Sequence, residues 1–339
     1  MTADAAAFRP RILPVAAEVA RPLWSVMIPT FNCAGHLRKT LRSVLAQDPG
    51  PHIMQIEVVD DHSTDSPESV VQELGNGRVQ FYRQPKNVGI TQNFYTSIAR
   101  SRGYLVHLLH GDDCVHDGFY ARMQEAFVDR PNIGAAFCRH FFIDSEGEKL
   151  SISALEQPSS GILDNWLERL AEEQRIMTPS IVVRREAYEE LGTFDSRLVC
   201  TEDWEMWVRI AARYPVWYEI EPLASYRMHD NSNTGRHMHT AEDVRYTRLA
   251  IEMFKSYLPV ERAESIARRA RDAHALSAVN NAGALWRMQD RTGAIAQLRE
   301  ALKLAHSLKV IVALTRLFMR VLVVDRSRAL NGARSNGES

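Results

Sequence analysis

An α/β fold with a largely parallel sheet, followed by a helical C-terminal region, is the architecture this sequence predicts. Three observations carry it. From residue 24 short β-rich apolar runs alternate with segments of helical period. Acidic clusters stand at the ends of two of those runs, and from Thr240 to about Leu330 nearly every segment reads as helix.

Trp24–Ile28 is the first strand, ended by Pro29, and Gly35–Gln47 places Leu37, Leu41, Val44 and Leu45 on one helical face. A second strand, Met54–Val59, runs into Asp60-Asp61-His62-Ser63-Thr64-Asp65. A helix start follows at Asp65-Ser66-Pro67-Glu68: a capping residue, proline in the first turn, and a carboxylate three residues after Asp65. Strand Val79–Arg83, helix Ile90–Ser101 and strand Tyr104–Leu109 come next, the last leading into His110-Gly111-Asp112-Asp113. Ligands of open α/β sheets bind outside the carboxyl ends of strands, so the placement of these clusters matters more than their acidity.

Helix Asp117–Val128, strand Ile133–Cys138, a hairpin over Phe141–Leu150 and a loop at 155–161 are expected next. They lead to a short helix, Leu163–Glu173, and strand Ser180–Val183. Helix Asp203–Ala212, preceded by Thr201-Glu202, and strands Val216–Glu219 and Ala224–Arg227 complete the α/β part. The expected organisation is a flexible N-terminal tail over 1–21, an α/β domain over 22–237, a helical domain over 238–330 and a second tail over 331–339.

The chain has 339 residues with 41 Lys+Arg against 42 Asp+Glu, which argues against a surface built to grip nucleic acid. The balance hides an asymmetry, since residues 301–339 carry +5 and the rest −6. Four cysteines without CxxC spacing indicate neither a zinc knuckle nor a disulfide framework, and a reducing cytoplasm is the simpler expectation. Arg9, Pro10, Arg11 and Pro14 interrupt the first residues before a signal-peptide apolar region can form. Val310–Val324 is the closest approach to a spanning segment, and Arg316 and Arg320 break it.

Four segments together resemble family-2 glycosyltransferases of the GT-A fold, over roughly residues 22–235. They are Ser25-Val26-Met27-Ile28-Pro29-Thr30-Phe31-Asn32, Val58-Val59-Asp60-Asp61-His62-Ser63-Thr64-Asp65, Leu108-Leu109-His110-Gly111-Asp112-Asp113 and Glu202-Asp203-Trp204-Glu205-Met206-Trp207. Asn87-Val88-Gly89, before the helix containing Asn93, fits the same pattern. The resemblance implies a Rossmann-like nucleotide-sugar-binding domain and inverting transfer to a glycan or lipid-linked acceptor.

It also implies roles for single residues. Asp60 and Asp61 lie where the family reads the donor's base, and Asp60 favours a UDP-sugar because a carboxylate accepts from the uracil imide. Pro29, Thr30, Asn32, Asn87, Gly89 and Asp113 are expected to line the donor pocket. Asp112 matches the second aspartate of the family's Asp-x-Asp motif and is expected to hold Mg²⁺ or Mn²⁺; His110 stands where the first aspartate belongs, a departure that leaves the ion one carboxylate short. His229, in Tyr226-Arg227-Met228-His229, is a candidate to complete the shell. Asp203 is the expected general base and Glu202 its helper or an acceptor ligand.

Plainer readings exist for each. Asp112-Asp113 could start a helix, Glu202-Asp203 could favour a helix N-terminus through its dipole, and Lys86 could be an exposed lysine rather than a phosphate contact. Trp204 and Trp207 are either an acceptor platform or core. The processive members' Gln-x-x-Arg-Trp motif and membrane spans are absent from the sequence. The alternatives are a nucleotidyltransferase, which lacks support because no Gly-rich basic loop follows the first strand, and a non-catalytic sugar-binding protein retaining the fold. Segment 308–324 sets Val310, Ala313, Leu314, Leu317, Val321 and Val324 near one face, which either meets a membrane surface or packs on neighbouring helices.

Overall fold

The computed structural model describes residues 8–228 and 233–320. Among these residues ten strands form one sheet, in the order Gln80–Arg83, Met54–Asp60, Trp24–Thr30, Leu105–Leu108, Ile181–Arg184, Ala135–Ile143, Val216–Arg227 and Cys114–Val115, with Lys149–Ile152 on Ala135–Ile143 and Gly161–Ile162 on Val216–Arg227. The first half matches expectation closely: β1 (Trp24–Thr30), α1 (Ala34–Leu45), β2 (Met54–Asp60), α2 (Pro67–Gly75), β3 (Gln80–Arg83), α3 (Ile90–Arg100) and β4 (Leu105–Leu108). Strand β1 runs on through Pro29, whose missing N–H is tolerated while its neighbours pair with β2. Alternation along β1 feeds two cores. Trp24, Val26 and Ile28 pack against α1 and α2 on one face, whereas Met27 joins α3 and the later helices on the other.

Then come β5 (Cys114–Val115), α4 (Phe119–Phe127), β6 (Ala135–Ile143), β7 (Lys149–Ile152), β8 (Gly161–Ile162), α5 (Trp166–Glu172), β9 (Ile181–Arg184), α6 (Arg185–Leu191), α7 (Glu202–Ala211) and β10 (Val216–Arg227). The sheet is mixed and not largely parallel, because β9 lies antiparallel between β4 and β6. The cause is the route of the chain. Strand β8 pairs with the start of β10, and after α5 the chain enters the middle of the sheet as β9, running opposite to both of its neighbours. The two strands expected over 216–227 are one strand, whose register shifts around Pro222 absorb a residue that cannot donate to the ladder.

Residues 8–12, within the stretch expected as a flexible tail, are packed, while most of 13–20 is exposed. Ile12 belongs to the main core, Arg9 is only 4% exposed, and the carbonyls of Phe8 and Pro10 accept from the N–H groups of Ser196 and Thr193 at 2.9 and 3.0 Å. The Nε of Arg9 donates to Asp195 Oδ2 at 2.9 Å, its Nη2 donates to the Tyr257 hydroxyl, and Nη2 also lies 3.2 Å from Glu205 Oε1. Residues 1–7 and 321–339 lie outside the described residues, as does the expected tail over 331–339.

The C-terminal region is helical as expected: α8 (Asn233–Thr240), α9 (Glu242–Phe254), α10 (Val260–Arg287), α11 (Arg291–Leu304) and α12, residues 308–320. It shares the core of the sheet, for Trp204 of α7 meets Phe254 edge-on at 4.9 Å and His274 at 4.7 Å. Trp204 and Trp207 are therefore core residues, not an acceptor platform. On α12 the face of Val310, Ala313, Leu314 and Leu317 turns inward, and Gly283 of α10 lets Leu317 approach closely. Val321 and Val324 are outside the described residues. No described helix is long and apolar enough to cross a membrane.

Candidate active site

The carboxyl ends of β1, β2 and β4 are stitched together by main-chain bonds. Asp61 N donates to Thr30 O at 2.8 Å, Gly111 N to Pro29 O at 3.0 Å and Leu109 N to Met27 O at 2.9 Å. This places Pro29, Thr30, Asp60, Asp61 and the 110–113 turn along one edge.

Asp60 is fully buried and receives the Ser63 N–H and hydroxyl and Arg83 Nη1, the last at 3.0 Å. Arg83 also donates to Ser63 O at 2.7 Å, so one guanidinium fixes the turn after β2. Asn32, at φ 49°, donates its N–H to Ser63 Oγ and accepts from Thr64 N, tying the two strand ends together. Asp61 accepts from Val88 N at 2.7 Å and Gly89 N at 3.0 Å, while Asn87 Nδ2 reaches Asp61 O. Gly89 itself takes φ 85°, a conformation other residues rarely adopt, where the chain turns into α3. Burial raises the Asp61 pKa more than these bonds lower it. Asp65, expected to cap α2, instead accepts from Ala34 N at 2.7 Å and caps α1; the left-handed Ser66 turns it that way. Lys86 is exposed.

The turn after β4 is held by Thr40, whose hydroxyl donates toward Gly111 O at 3.0 Å and Asp113 O at 2.7 Å. Arg227, at the end of β10, donates its N–H to Asp113 Oδ1 at 2.8 Å and its Nε to Asp112 O at 2.7 Å. His110 stacks on Phe94 at 5.1 Å, with Nδ1 3.5 Å from Asp113 Oδ2. His110, Asp112 and Asp113 each offer a ligand atom, all within 4.8 Å of one another. Two buried atoms here, His110 Nε2 and Asp113 Oδ2, have no hydrogen-bond partner. Orphaned acceptors beside a carboxylate fit a divalent cation. His110, which stands where the family's first aspartate belongs, brings an imidazole within 4.8 Å of both carboxylates. Burial opposes the charged form of His110, but the carboxylates of Asp113 and Asp112 outweigh it and raise its pKa. Burial also raises that of Asp113. His229 lies outside the described residues.

Gly111 is fixed by Thr30: a Cβ there would sit 2.5 Å from Thr30 Oγ1 and 3.0 Å from Cys33 Sγ. Gly111→Ala is expected to cost about 1–3 kcal/mol and to displace the turn. Thermal melts and Mn²⁺ titration of the protein check this, and adding Thr30→Ala should recover part of the loss.

Glu202 and Asp203 begin α7. Asp203 Oδ1 accepts from Trp204 N at 2.7 Å, and Oδ2 from Gln174 Nε2 at 2.8 Å and Thr178 Oγ1 at 3.4 Å. Both partners come from the segment entering β9, which explains why sequence reading missed them; nothing in their spacing points to Asp203. Burial raises the Asp203 pKa, and the nearby His110 partly opposes this. Glu202 is buried with Oε2 unpartnered, and burial together with the Asp203 charge holds its pKa well up. Two adjacent carboxylates with raised affinities for protons suit acid–base work. Arg83 and Thr40 were likewise missed, each acting from another element.

The family model described as Glycosyl transferase family 2 matches residues 25–192. An uncharacterized protein of Mycobacterium tuberculosis is 25% identical over 249 residues, 68% of this chain and 75% of its own length. An uncharacterized glycosyltransferase of Rickettsia typhi is 25% identical over 229 residues, 66% and 69% of the two lengths. Among solved structures, S. aureus TarS 1–349 in complex with UDP-GlcNAc superposes with a TM-score of 0.65 at 14% identity, covering 90% of this chain and 91% of that one. A mannosyltransferase from Pyrobaculum calidifontis, in complex with GDP-Man and Mn²⁺, gives 0.53 at 18% identity, covering 92% and 83%.

Proposed function

Because the chain belongs to glycosyltransferase family 2 and has the GT-A fold, we propose that it is an inverting enzyme moving a sugar from a nucleotide-diphosphate donor, preferably a UDP-sugar, to a glycan or lipid-linked acceptor in the cytoplasm. The observation that supports this most is the gathering of His110, Asp112 and Asp113 at the sheet edge, within electrostatic reach of Asp203 at the start of α7. In this reading the donor's base and ribose meet the edge formed by Pro29, Thr30, Asn32, Asp60 and Asp61, with Asn87 and Gly89 closing the pocket.

A divalent cation, Mn²⁺ or Mg²⁺, held by Asp112 with His110 and Asp113, would neutralise charge growing on the departing diphosphate. The imidazole in this donor set favours Mn²⁺ over Mg²⁺. Asp203 accepts the proton of the acceptor hydroxyl as that oxygen attacks the anomeric carbon and the bond to diphosphate breaks on the opposite side. Gln174, Thr178 and the Trp204 N–H fix the orientation of the base. Glu202 stands beside the base with its Oε2 free of any hydrogen bond among the described residues, and burial together with the Asp203 charge pushes its pKa up. The domain limits that go with this reading are 22–237 for the transferase part and 238–330 for the helical part.

Incubating the full chain with UDP-, dTDP- and GDP-sugars, each with Mn²⁺ or Mg²⁺, tests the reading. Metal-dependent binding and slow hydrolysis of a UDP-sugar are expected. Failure to bind any donor overturns it.

A further inference from the structure

We propose that α12 docks on an anionic lipid surface through the face it turns to solvent. Leu308, Ile311, Val312, Phe318 and Met319 are all exposed; Leu308 is 77% and Phe318 62% accessible. At 100° per residue they share one sector of about 120°. The inward face of Val310, Ala313, Leu314 and Leu317 fills a second sector. Lys309, Arg316 and Arg320 occupy the narrow sector between them. This helix is therefore apolar on two faces, one satisfied by the protein core and one open, with a cationic stripe along the border.

Soluble proteins rarely leave a contiguous apolar patch of this kind without a partner. Charge selects the partner. Residues 301–324 contain four basic side chains and no acidic one, and residues 325–339 add three basic residues against two acidic. An amphipathic helix lies in a membrane interface with its apolar face among the acyl chains while long cationic side chains reach back to the headgroups, and anionic lipid adds to the attraction. A second copy of this chain would have to bring the same positive stripe against itself, which is unfavourable. The inference is separate from the reading of the catalytic site, because none of these residues contributes to it.

Sedimentation with phosphatidylcholine vesicles, with and without phosphatidylglycerol, tests it on the full chain. Binding is expected only to the anionic vesicles and should weaken as salt is raised. Arg316→Gln with Arg320→Gln should reduce it roughly thirtyfold, from about 1 kcal/mol for each basic residue near such a surface. Ile311→Asp with Phe318→Asp should abolish it; both positions are exposed, so the melting temperature should stay unchanged. No binding of the parent chain to anionic vesicles overturns the proposal, as does self-association that Ile311→Asp disrupts in sedimentation velocity. Sugar transfer to a soluble acceptor should be unaffected by all four substitutions, which separates a failure here from a failure of the catalytic reading.

Discussion

Asp203→Asn is expected to lower kcat by about a hundredfold to ten-thousandfold while leaving donor binding intact, the range for removing a positioned general base. The substitution is nearly isosteric, and its amide oxygen can still accept the Trp204 N–H that Asp203 Oδ1 takes at 2.7 Å. What is lost is the capacity to hold a proton. Stability supplies a control. A buried carboxylate whose folded pKa is raised favours folding below its unfolded pKa and loses that contribution as pH rises through the folded one. At neutral pH the asparagine variant should therefore melt no lower than the parent. For the parent enzyme, kcat should fall on acidification at a higher pH than an ordinary aspartate would give. Unchanged transfer by the variant would show that the base lies elsewhere.

Arg9→Met should destabilise the protein by about 3 kcal/mol, the lower end for a buried ion pair losing one partner. Arg9 serves both Asp195 and Glu205, but neither acid is stranded by its loss. Arg197 Nη2 remains 2.7 Å from Asp195 Oδ2, Arg209 Nη2 donates to Glu205 Oε2 at 2.9 Å, and the Tyr257 hydroxyl donates to Glu205 Oε1 at 2.6 Å. For a chain this size the shift in Tm is about 4 °C, measurable by calorimetry. Glu205 stands two residues beyond Asp203 on α7, so a modest fall in kcat should accompany the loss. A variant that melts like the parent would show that the network is dispensable.

The contrast between these two residues marks what the sequence makes legible. Asp203, Asp112 and Asp60 stand at element boundaries in short motifs, where a strand ending in a carboxylate is itself a signal. Strands β1 to β4 were found within two residues at each end because their apolar runs are short, β-rich and bounded by turns. Arg9 gives no such signal: one buried cation and one buried Ile12 in an irregular, proline-containing segment have no period to detect. Gln174 and Thr178 act through a reversal of β9 that only the assembled sheet defines, and α6 is too short for a helical repeat to register. Arg83 reaches Asp60 across the β2–β3 pair, where partners sit 23 residues apart. Local pattern reveals elements; contacts distant in sequence must be seen in the folded chain.

The strap formed by residues 8–12 also bears on the order of events during synthesis. Arg9 leaves the ribosome early, yet its partners lie 186 and 248 residues later, at Asp195 and Tyr257. Contacts this remote in sequence are slow to form, since the intervening chain must be closed first. The N-terminal segment must wait, unsatisfied, until the sheet, α7 and the start of the C-terminal helices have been made. A chain ending before residue 257 would lack the Tyr257 hydroxyl that joins Arg9 to Glu205, and α7 would be without that tie to the C-terminal helices.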